Sequence, residues 1–473
     1  MKTQTNELRM ESRSGSRFTG VRVHFIGIGG CGMNGLANML VDAGAIVTGS
    51  DPHLPDTARQ LIARNVNVSR DQMGELLSKE TELVVRSAAI LDHNLEFKAA
   101  KARGIPVIKY AELLGQVMEE RHGIAVAGTH GKSTTTAMLA YALMQCGEDP
   151  SFVVGGTVKQ LGGGGSRSGM SKLFVAEACE FDRSFLKLHP KIAIINNIEE
   201  DHLDCYKNIF EINDAFRRFA MLVPKDGLIL ANSKDVNVAI AMQSIASPIQ
   251  RVMVNESGAR PTDVQWVTDF NGLKNGGPCG TVYFNGQEMA KLQLSIPGIH
   301  NLFNATMALA ACHAVGADLS KAAAAINEFT GVDRRLTEVG KCKGAMILDD
   351  YGHHPTEIKA TLRAICEKYQ PSRLFCVFQP HQHSRTRFLL RDFATSFAAA
   401  TETIVPEIYF VRDSDLERER ITAYELVEKI IDNGQDAVHI NKLKDIPQYL
   451  FPKLQTGDVV VTMGAGKIGR AHV

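Results

Sequence analysis

Between the apolar run Ile124–Ala127 and the helix-forming stretch Thr135–Met144 lies Gly128-Thr129-His130-Gly131-Lys132-Ser133-Thr134. A short strand, a glycine turn carrying a lysine and two hydroxyls, and then a helix commit this part of the chain to an α/β layer that receives phosphate. Backbone N–H groups and the positive end of the helix dipole point into such a turn. Lys132 adds a point charge, and Ser133 or Thr134 offers a hydroxyl to Mg²⁺. The loop is a shortened variant, because the usual pattern needs a further glycine at position 126, which is Val. Gly128 and Gly131 therefore carry the turn, and the expected ligand is ATP or GTP. The competing reading is a strand-to-helix turn in which Lys-Ser-Thr is incidental.

The chain has 473 residues, too many for one core, so several domains are expected. Hydrophobic content of 44% with 22% charged residues fits a globular protein, and zero net charge gives no global field to attract nucleic acid or an anionic membrane. No apolar run reaches the ~20 residues of a membrane span. Nine cysteines form no Cys-x-x-Cys pair. That usage suggests a cytoplasmic protein without a disulfide framework. Met1–Gly20 is polar and reads as a flexible tail.

Three segments follow. In the first, over 21–120, the strand Val21–Ile26 runs into Gly27-Ile28-Gly29-Gly30-Cys31-Gly32 and a helix-like Met33–Ala43. A second strand, Ile46–Thr48, ends near Asp51, an acid roughly 20 residues past the last glycine. Alone this suggests a nicotinamide dehydrogenase. Its physical content is narrower: a diphosphate approaches the turn and Asp51 accepts a ribose hydroxyl, which a UDP-sugar also satisfies. Leu83–Ile90 and Ile105–Ile108 read as later strands of that sheet.

The second segment, 121–332, contains the phosphate loop. The strand Lys172–Ala176 ends at Glu177, and Ile192–Ile198 ends at Glu199-Glu200-Asp201-His202-Leu203-Asp204. Carboxyl ends of parallel strands line ligand crevices, so Glu177 and His202 become candidate metal ligands. A solvated acidic loop is the plainer reading for Glu199 and Glu200. Trp266–Ser295 reads as an antiparallel insertion with Asn271-Gly272 and Asn285-Gly286 turns. Pro297–Ala305 opens a helix in which Asn301 and Asn304 lie one turn apart, as caps or as amides presented to a base.

The third segment, 333–473, pairs the strand Ala345–Leu348 with Asp349-Asp350-Tyr351-Gly352-His353-His354-Pro355-Thr356-Glu357, and Leu374–Phe378 with Gln379-Pro380-His381-Gln382-His383-Ser384-Arg385-Thr386. A third strand, Asp458–Met463, ends in Gly464-Ala465-Gly466. These loops form another crevice of polar groups. No acid–histidine spacing in them matches a closed zinc set.

Over Val21 to Ile468 the three segments resemble the Mur ligases. The likeness rests on His24–Gly32, Gly128–Thr136, Glu177, Asp201–Asp204, Pro297–Ala305, Asp350–Glu357 and Phe378–Thr386. It implies an α/β fold of three domains: a Rossmann-like N-terminal domain for UDP, a central P-loop ATPase, and a C-terminal Rossmann-like domain. It implies ATP-dependent amide formation through an acyl phosphate, with Mg²⁺, in peptidoglycan precursor synthesis. The nearest pattern is that of members joining L-alanine to UDP-N-acetylmuramate. By motif, Gly128, Thr129, His130, Gly131, Lys132, Ser133 and Thr134 would bind phosphates. Ser133 and Glu177 would hold one Mg²⁺, with His202 on a second. Asn301 and Asn304 would contact adenine, Arg335 and Asp350 phosphate and ribose, and His353 and Arg385 the amino acid. Gly29, Gly30, Gly32, Asp51 and Ser87 would bound the UDP-sugar pocket. A monomer or weak homodimer is expected.

The chain departs from the family pattern in three places. Gln382 stands where Arg is common, leaving strictness for alanine over glycine or serine open. Ala178-Cys179-Glu180-Phe181-Asp182 replaces an Asp-rich loop, and Arg217 and Arg218 leave no place for a carbamylated lysine. A muropeptide-recycling ligase, a folylpolyglutamate synthase, a dehydrogenase and a regulatory ATP-binding module are the alternatives.

Overall fold

A computed structural model of the chain describes residues 15–53, 58–258, 260–411, 413–466 and 468. Three sheets follow one another along the chain. The first is wholly parallel, in the order β3-β2-β1-β4-β5, from β1 (Arg22–Ile26), β2 (Ile46–Ser50), β3 (Asn67–Ser69), β4 (Leu83–Arg86) and β5 (Val107–Lys109).

The second sheet has ten strands in the order β15-β14-β13-β12-β11-β10-β6-β9-β7-β8. They are β6 (His122–Ala127), β7 (Ser151–Val158), β8 (Gly164–Arg167), β9 (Leu173–Glu177), β10 (Ile192–Ile195), β11 (Leu228–Asn232), β12 (Ile249–Asn255), β13 (Trp266–Lys274), β14 (Gly277–Phe284) and β15 (Gln287–Gln293). The third runs β16-β17-β21-β18-β19-β20, from β16 (Thr337–Cys342), β17 (Ala345–Asp350), β18 (Leu374–Phe378), β19 (Glu402–Val405), β20 (Ala437–His439) and β21 (Val459–Met463); only β16 is antiparallel. Each of the three expected segments contains the strands of one sheet.

The central strands read as continuous apolar runs because both faces are covered. One face of β6, β9 and β10 packs with the first sheet's helices in a single cluster, joining Leu36, Leu40, Leu113 and Met118 to Phe174, Phe185 and Ile195. The other face lies under the helices Lys132–Gln145 and Ile299–Ala314. The third sheet has a separate core on each face.

Glycines set the approach between the first and second sheets. A Cβ on Gly35 would meet Ser166 Cβ at 2.4 Å, and one on Gly165 would meet Cys31 Sγ at 2.5 Å. Ser166 Oγ donates to the Cys31 carbonyl at 3.0 Å across the same contact.

Two expectations change. Of the expected tail, residues 1–14 lie outside the described residues, while 15–20 are packed: Phe18 is buried and Arg17 pairs with Glu119 and Glu120. An aromatic ring in the polar stretch gives it an anchor. The Trp266–Ser295 stretch is antiparallel as expected, but it extends the central sheet, since β13 pairs parallel with β12. Its first turn is Asn275-Gly276, whereas Asn271-Gly272 makes an irregularity inside β13. Trp266, fully buried against Phe284 and His313, holds the extension to the helix Ile299–Ala314.

Candidate active site

The register of the second sheet places the chemistry. β6 lies between β9 and β10, with Glu177 opposite Val126 and Ile195 opposite Ala127, so the loops after all three strands converge. Gly128 (φ 143°) and Gly131 (φ 78°) adopt backbone that side chains disfavour. A Cβ on Gly131 would also meet Asn304 Oδ1 at 2.6 Å. The amides of Gly131, Lys132, Ser133 and Thr134 donate to no protein acceptor among the described residues. They are the unsatisfied donors of a helix N-terminus, an anion cradle. Thr129 and His130 instead tie the loop to β10's exit: Thr129 N–H donates to the Asn197 carbonyl at 3.1 Å, and His130 N–H to Asn197 Oδ1 at 2.7 Å.

Lys132 folds back over this loop. Its Nζ donates to the carbonyls of Gly128 (2.5 Å) and Thr129 (3.0 Å) and to Glu180 Oε1 (2.9 Å). Burial alone would lower its pKa, but the Glu180 charge more than offsets this, and the ammonium is held. Ser133 Oγ donates to Glu177 Oε1 at 3.1 Å, and Glu177 Oε2 accepts from Gly155 N–H at 2.7 Å.

From Glu180 a chain of charged groups leads to the third sheet. His202, in left-handed backbone (φ 53°), sets Nε2 3.8 Å from Glu180 Oε1 and 3.9 Å from Asp201 Oδ2. Asp201 Oδ1 accepts from Arg385 Nε (3.0 Å) and an Arg385 terminal nitrogen (2.8 Å). Both are nearly buried, at 6% and 7% exposure, so the pair is largely desolvated. Against the penalty of burial, Arg385 foremost holds the Asp201 carboxyl well below its usual range. His353 Nε2 lies 3.9 Å from the same carboxylate, and burial pushes its imidazole down to about 3, so it is neutral at pH 7. Arg385, expected to contact the amino acid, carries an ion pair between the second and third sheets.

A cavity of about 520 Å³ opens between the second and third sheets, lined among others by Gly131, Ser133, Asn301, Asn304, Arg335 and Asp350. The helix Ile299–Ala314 is capped by Gly298, so neither asparagine is the cap. Asn301 Nδ2 donates to the Pro297 carbonyl and Asn304 Nδ2 to Asn301 Oδ1, which orients both amides. Arg335 enters from the link between the sheets, flanked by Arg334 and Leu336, both in left-handed backbone. Asp350, raised above its ordinary range by burial, accepts from Leu336 N–H and Gly352 N–H, so besides lining the cavity it braces that link.

His130 joins the phosphate loop to the third sheet. Nδ1 lies 3.3 Å from Glu357 and Nε2 3.6 Å from Glu199. Burial opposes its charge, yet Glu199 and Glu357 raise its pKa to about 9. Ligand atoms of His130, Glu199 and His354 fall within 4.8 Å of one another, a metal-type grouping that no sequence spacing displayed. The His354 nitrogens already serve the Glu200 carbonyl (3.1 Å) and Thr356 N–H (3.3 Å), so the trio functions here as a contact between sheets.

At the first sheet the glycine turn is braced from within. Gly27 and Ile28 N–H donate to the Ser50 carbonyl, and Gly30 N–H to the Gly27 carbonyl. Asp51, expected to accept a ribose hydroxyl, accepts Gly29 N–H (2.9 Å) and His53 N–H (2.9 Å). Among the described residues the free amides are those of Cys31, Gly32 and Met33; of the expected Gly29, Gly30 and Gly32, only Gly32 keeps an unclaimed N–H. Ser87 underlies the turn: its Cβ would lie 3.0 Å from a Cβ on Gly27.

Sequence reasoning gave no role to Glu180, Asp201, Glu357, Asn196 or Asn197. The spacing Glu177-x-x-Glu180 was the visible trace of the first.

The comparisons agree with this layout. Family models match along the chain: "Mur ligase family, catalytic domain" at residues 22–122, "Mur ligase middle domain" at 126–312, and "Mur ligase, glutamate ligase domain" at 334–466. A UDP-N-acetylmuramate–L-alanine ligase of Caldanaerobacter subterraneus subsp. tengcongensis is 41% identical over 94% of this chain and 95% of its own length. The ligase of that name from Acetivibrio thermocellus is 39% identical over 94% and 93%. Among solved structures, a UDP-N-acetylmuramate–alanine ligase from Thermotoga maritima matches with TM-score 0.75 and 25% identity over 95% of this chain and 97% of the other. A murein peptide ligase from Psychrobacter arcticus matches with TM-score 0.70 and 27% identity over 96% and 97%. The chain belongs to the Mur ligase family.

Proposed function

We propose that the protein joins L-alanine to the lactyl carboxylate of UDP-N-acetylmuramate at the expense of ATP, in peptidoglycan precursor synthesis. The observation that carries this reading is the run of polar and charged groups from Ser133–Glu177 through Lys132–Glu180 and His202 to Asp201–Arg385. It connects a triphosphate cradle to a second set of polar groups beside the third sheet, which amide formation through an acyl phosphate needs and simple hydrolysis does not. The relatives of that name at about two-fifths identity support the choice of substrates.

Adenine and ribose would enter the cavity beside Asn301, Asn304 and Asp350, with the phosphates over the free amides of Gly131–Thr134. Lys132 and Arg335 would stabilise charge on the transferring phosphoryl group. Ser133 and Glu177 fit Mg²⁺: adjacent ligands of an octahedral ion stand about 3 Å apart, as their oxygens do at 3.1 Å. The metal would supply neutralisation of phosphate charge there, and His202 would hold a second ion near the substrate carboxylate. Neutral His353 and Arg385 would orient the incoming amine and its carboxylate. The sugar diphosphate would rest on the amides of Cys31–Met33.

Phosphate release from ATP with UDP-N-acetylmuramate, screened against single amino acids and a tripeptide, tests the reading. Release with alanine is expected. No release with any amino acid refutes it, and release with the tripeptide alone assigns the recycling reaction.

A further inference from the structure

Tyr110 opens the helix Tyr110–Glu119 at the end of β5, and its ring packs against Gly32 in the first turn of the helix Cys31–Asp42. A Cβ on Gly32 would meet Tyr110 Oη at 2.5 Å and Cζ at 2.8 Å, so glycine at 32 makes room for the phenol. The third glycine of the motif therefore serves a side chain as well as a ligand. The ring is partly covered, yet its hydroxyl has no hydrogen-bond partner among the described residues. Burial foremost, with the Glu177 carboxylate behind it, holds the phenol above its ordinary range, which keeps the O–H a donor. Cys31 carries one of the free amides, and Glu177 ends β9 in the second sheet.

We propose that the Tyr110 hydroxyl is a binding group for the sugar-nucleotide substrate, donating a hydrogen bond to the diphosphate held by the amides of Cys31, Gly32 and Met33. Two observations meet here: three unfilled amide donors on one turn, and an unfilled hydroxyl donor packed on the middle residue of that turn. Donors gathered without acceptors describe the complement of an anion. The position suits a substrate that must cross from the first sheet to Glu177 on the second, because the phenol fixes the diphosphate at the start of that crossing.

The assignment rests on the function proposed above. Its test is calorimetric titration of the full-length protein and of Tyr110→Phe with UDP and with uridine, both without ATP. Phenylalanine keeps the ring and its packing on Gly32 and removes only the hydroxyl. A hydrogen bond to a charged group predicts UDP affinity about tenfold weaker in the variant. Uridine affinity and the melting temperature should be unchanged. In turnover, KM for UDP-N-acetylmuramate should rise by a similar factor while KM for ATP stays within twofold. UDP affinity unchanged in Tyr110→Phe overturns the assignment, as does an equal loss for UDP and uridine, which would make the residue structural. A wild-type protein that binds UDP but releases no phosphate with UDP-N-acetylmuramate would instead refute the function, leaving the UDP comparison to decide on Tyr110.

Discussion

Replacing His130 with Gln should remove a stabilising charge whose effect depends on pH in a defined direction. The imidazole has a pKa of about 9 in the fold against 6.5 for the free group. A raised pKa means the folded state holds the proton more tightly. The stabilisation is therefore complete below pH 6.5 and is lost as pH rises through 9. Linkage between those two values gives about 2.5 kcal/mol at pH 7 and about 0.4 kcal/mol at pH 9. The His130 ring is 13% exposed and Glu357 10%, whereas Glu199 at 34% is screened by solvent. That reduces the expected difference to about 1–2 kcal/mol. Urea unfolding of wild type and His130→Gln, followed by circular dichroism at pH 7 and pH 9, measures it. The stability gap between the two proteins should shrink by that amount on going to pH 9. Lys, Tyr and Cys titrations are common to both proteins and cancel. A gap that stays constant or widens would refute the ion-paired imidazolium.

Lys132→Ala should lower kcat by at least about 10²–10³, while the dissociation constant for UDP-N-acetylmuramate, measured by calorimetry, stays within twofold. Gly131→Ala, with φ 78° and Asn304 2.6 Å from the new Cβ, should abolish ATP binding in an equilibrium titration. Gly30→Ala has φ −60° and only ordinary contacts from 3.6 Å, so its melting temperature should match wild type. Asp201→Asn leaves Arg385 nearly buried without its carboxylate and should cost about 3–5 kcal/mol in urea unfolding. Gln382→Arg should shift relative kcat/KM among alanine, glycine and serine, a difference of one small group that pockets resolve by about 1–3 kcal/mol.

The sequence displayed the local parts of this site and hid the pairings. A phosphate loop, the acid ending β9 and the histidines after β17 each lie at a strand's carboxyl end, where apolar runs and turn chemistry are written in neighbouring residues. Leu374–Phe378 is read to the residue for the same reason, whereas the apolar runs Leu83–Ile90 and Ile192–Ile198 continue past strands that end at Arg86 and Ile195. Partners distant along the chain have no such record. Asp201 and Arg385 are 184 residues apart, and nothing near either residue specifies the other. Asp51 looked like a ribose ligand because the motif has an acid there. Only the folded turn shows that Gly29 N–H lies 2.9 Å away and claims it. Likewise Gly32 read as a phosphate glycine, while its contact with Tyr110 depends on how β5's helix crosses the first turn.

The two junctions of the molecule differ in kind, and the difference bears on how the reaction proceeds. Between the first and second sheets the contact is a shared apolar core with glycines under van der Waals pressure, such as Gly35 against Ser166. Opening it would expose Leu36, Leu113 and Phe185 to water, at roughly 25 cal/mol per Å² of apolar surface. Between the second and third sheets the contact is ionic and hydrogen-bonded: His130 pairs with Glu357 and Arg385 with Asp201, and Thr356 Oγ1 donates to Glu199 at 2.5 Å. Such pairs exchange for water or for the phosphate and carboxylate groups of substrates at little net cost, because a departing partner is replaced by another charge. On the function proposed, the sugar nucleotide would meet a preformed cleft, whereas ATP and the amino acid would bind where anionic ligands compete directly with Glu357 and Asp201 for the same cations. On that reading, contact of the third sheet with the phosphate loop would depend on the charge of the bound substrates, because the same cations serve both.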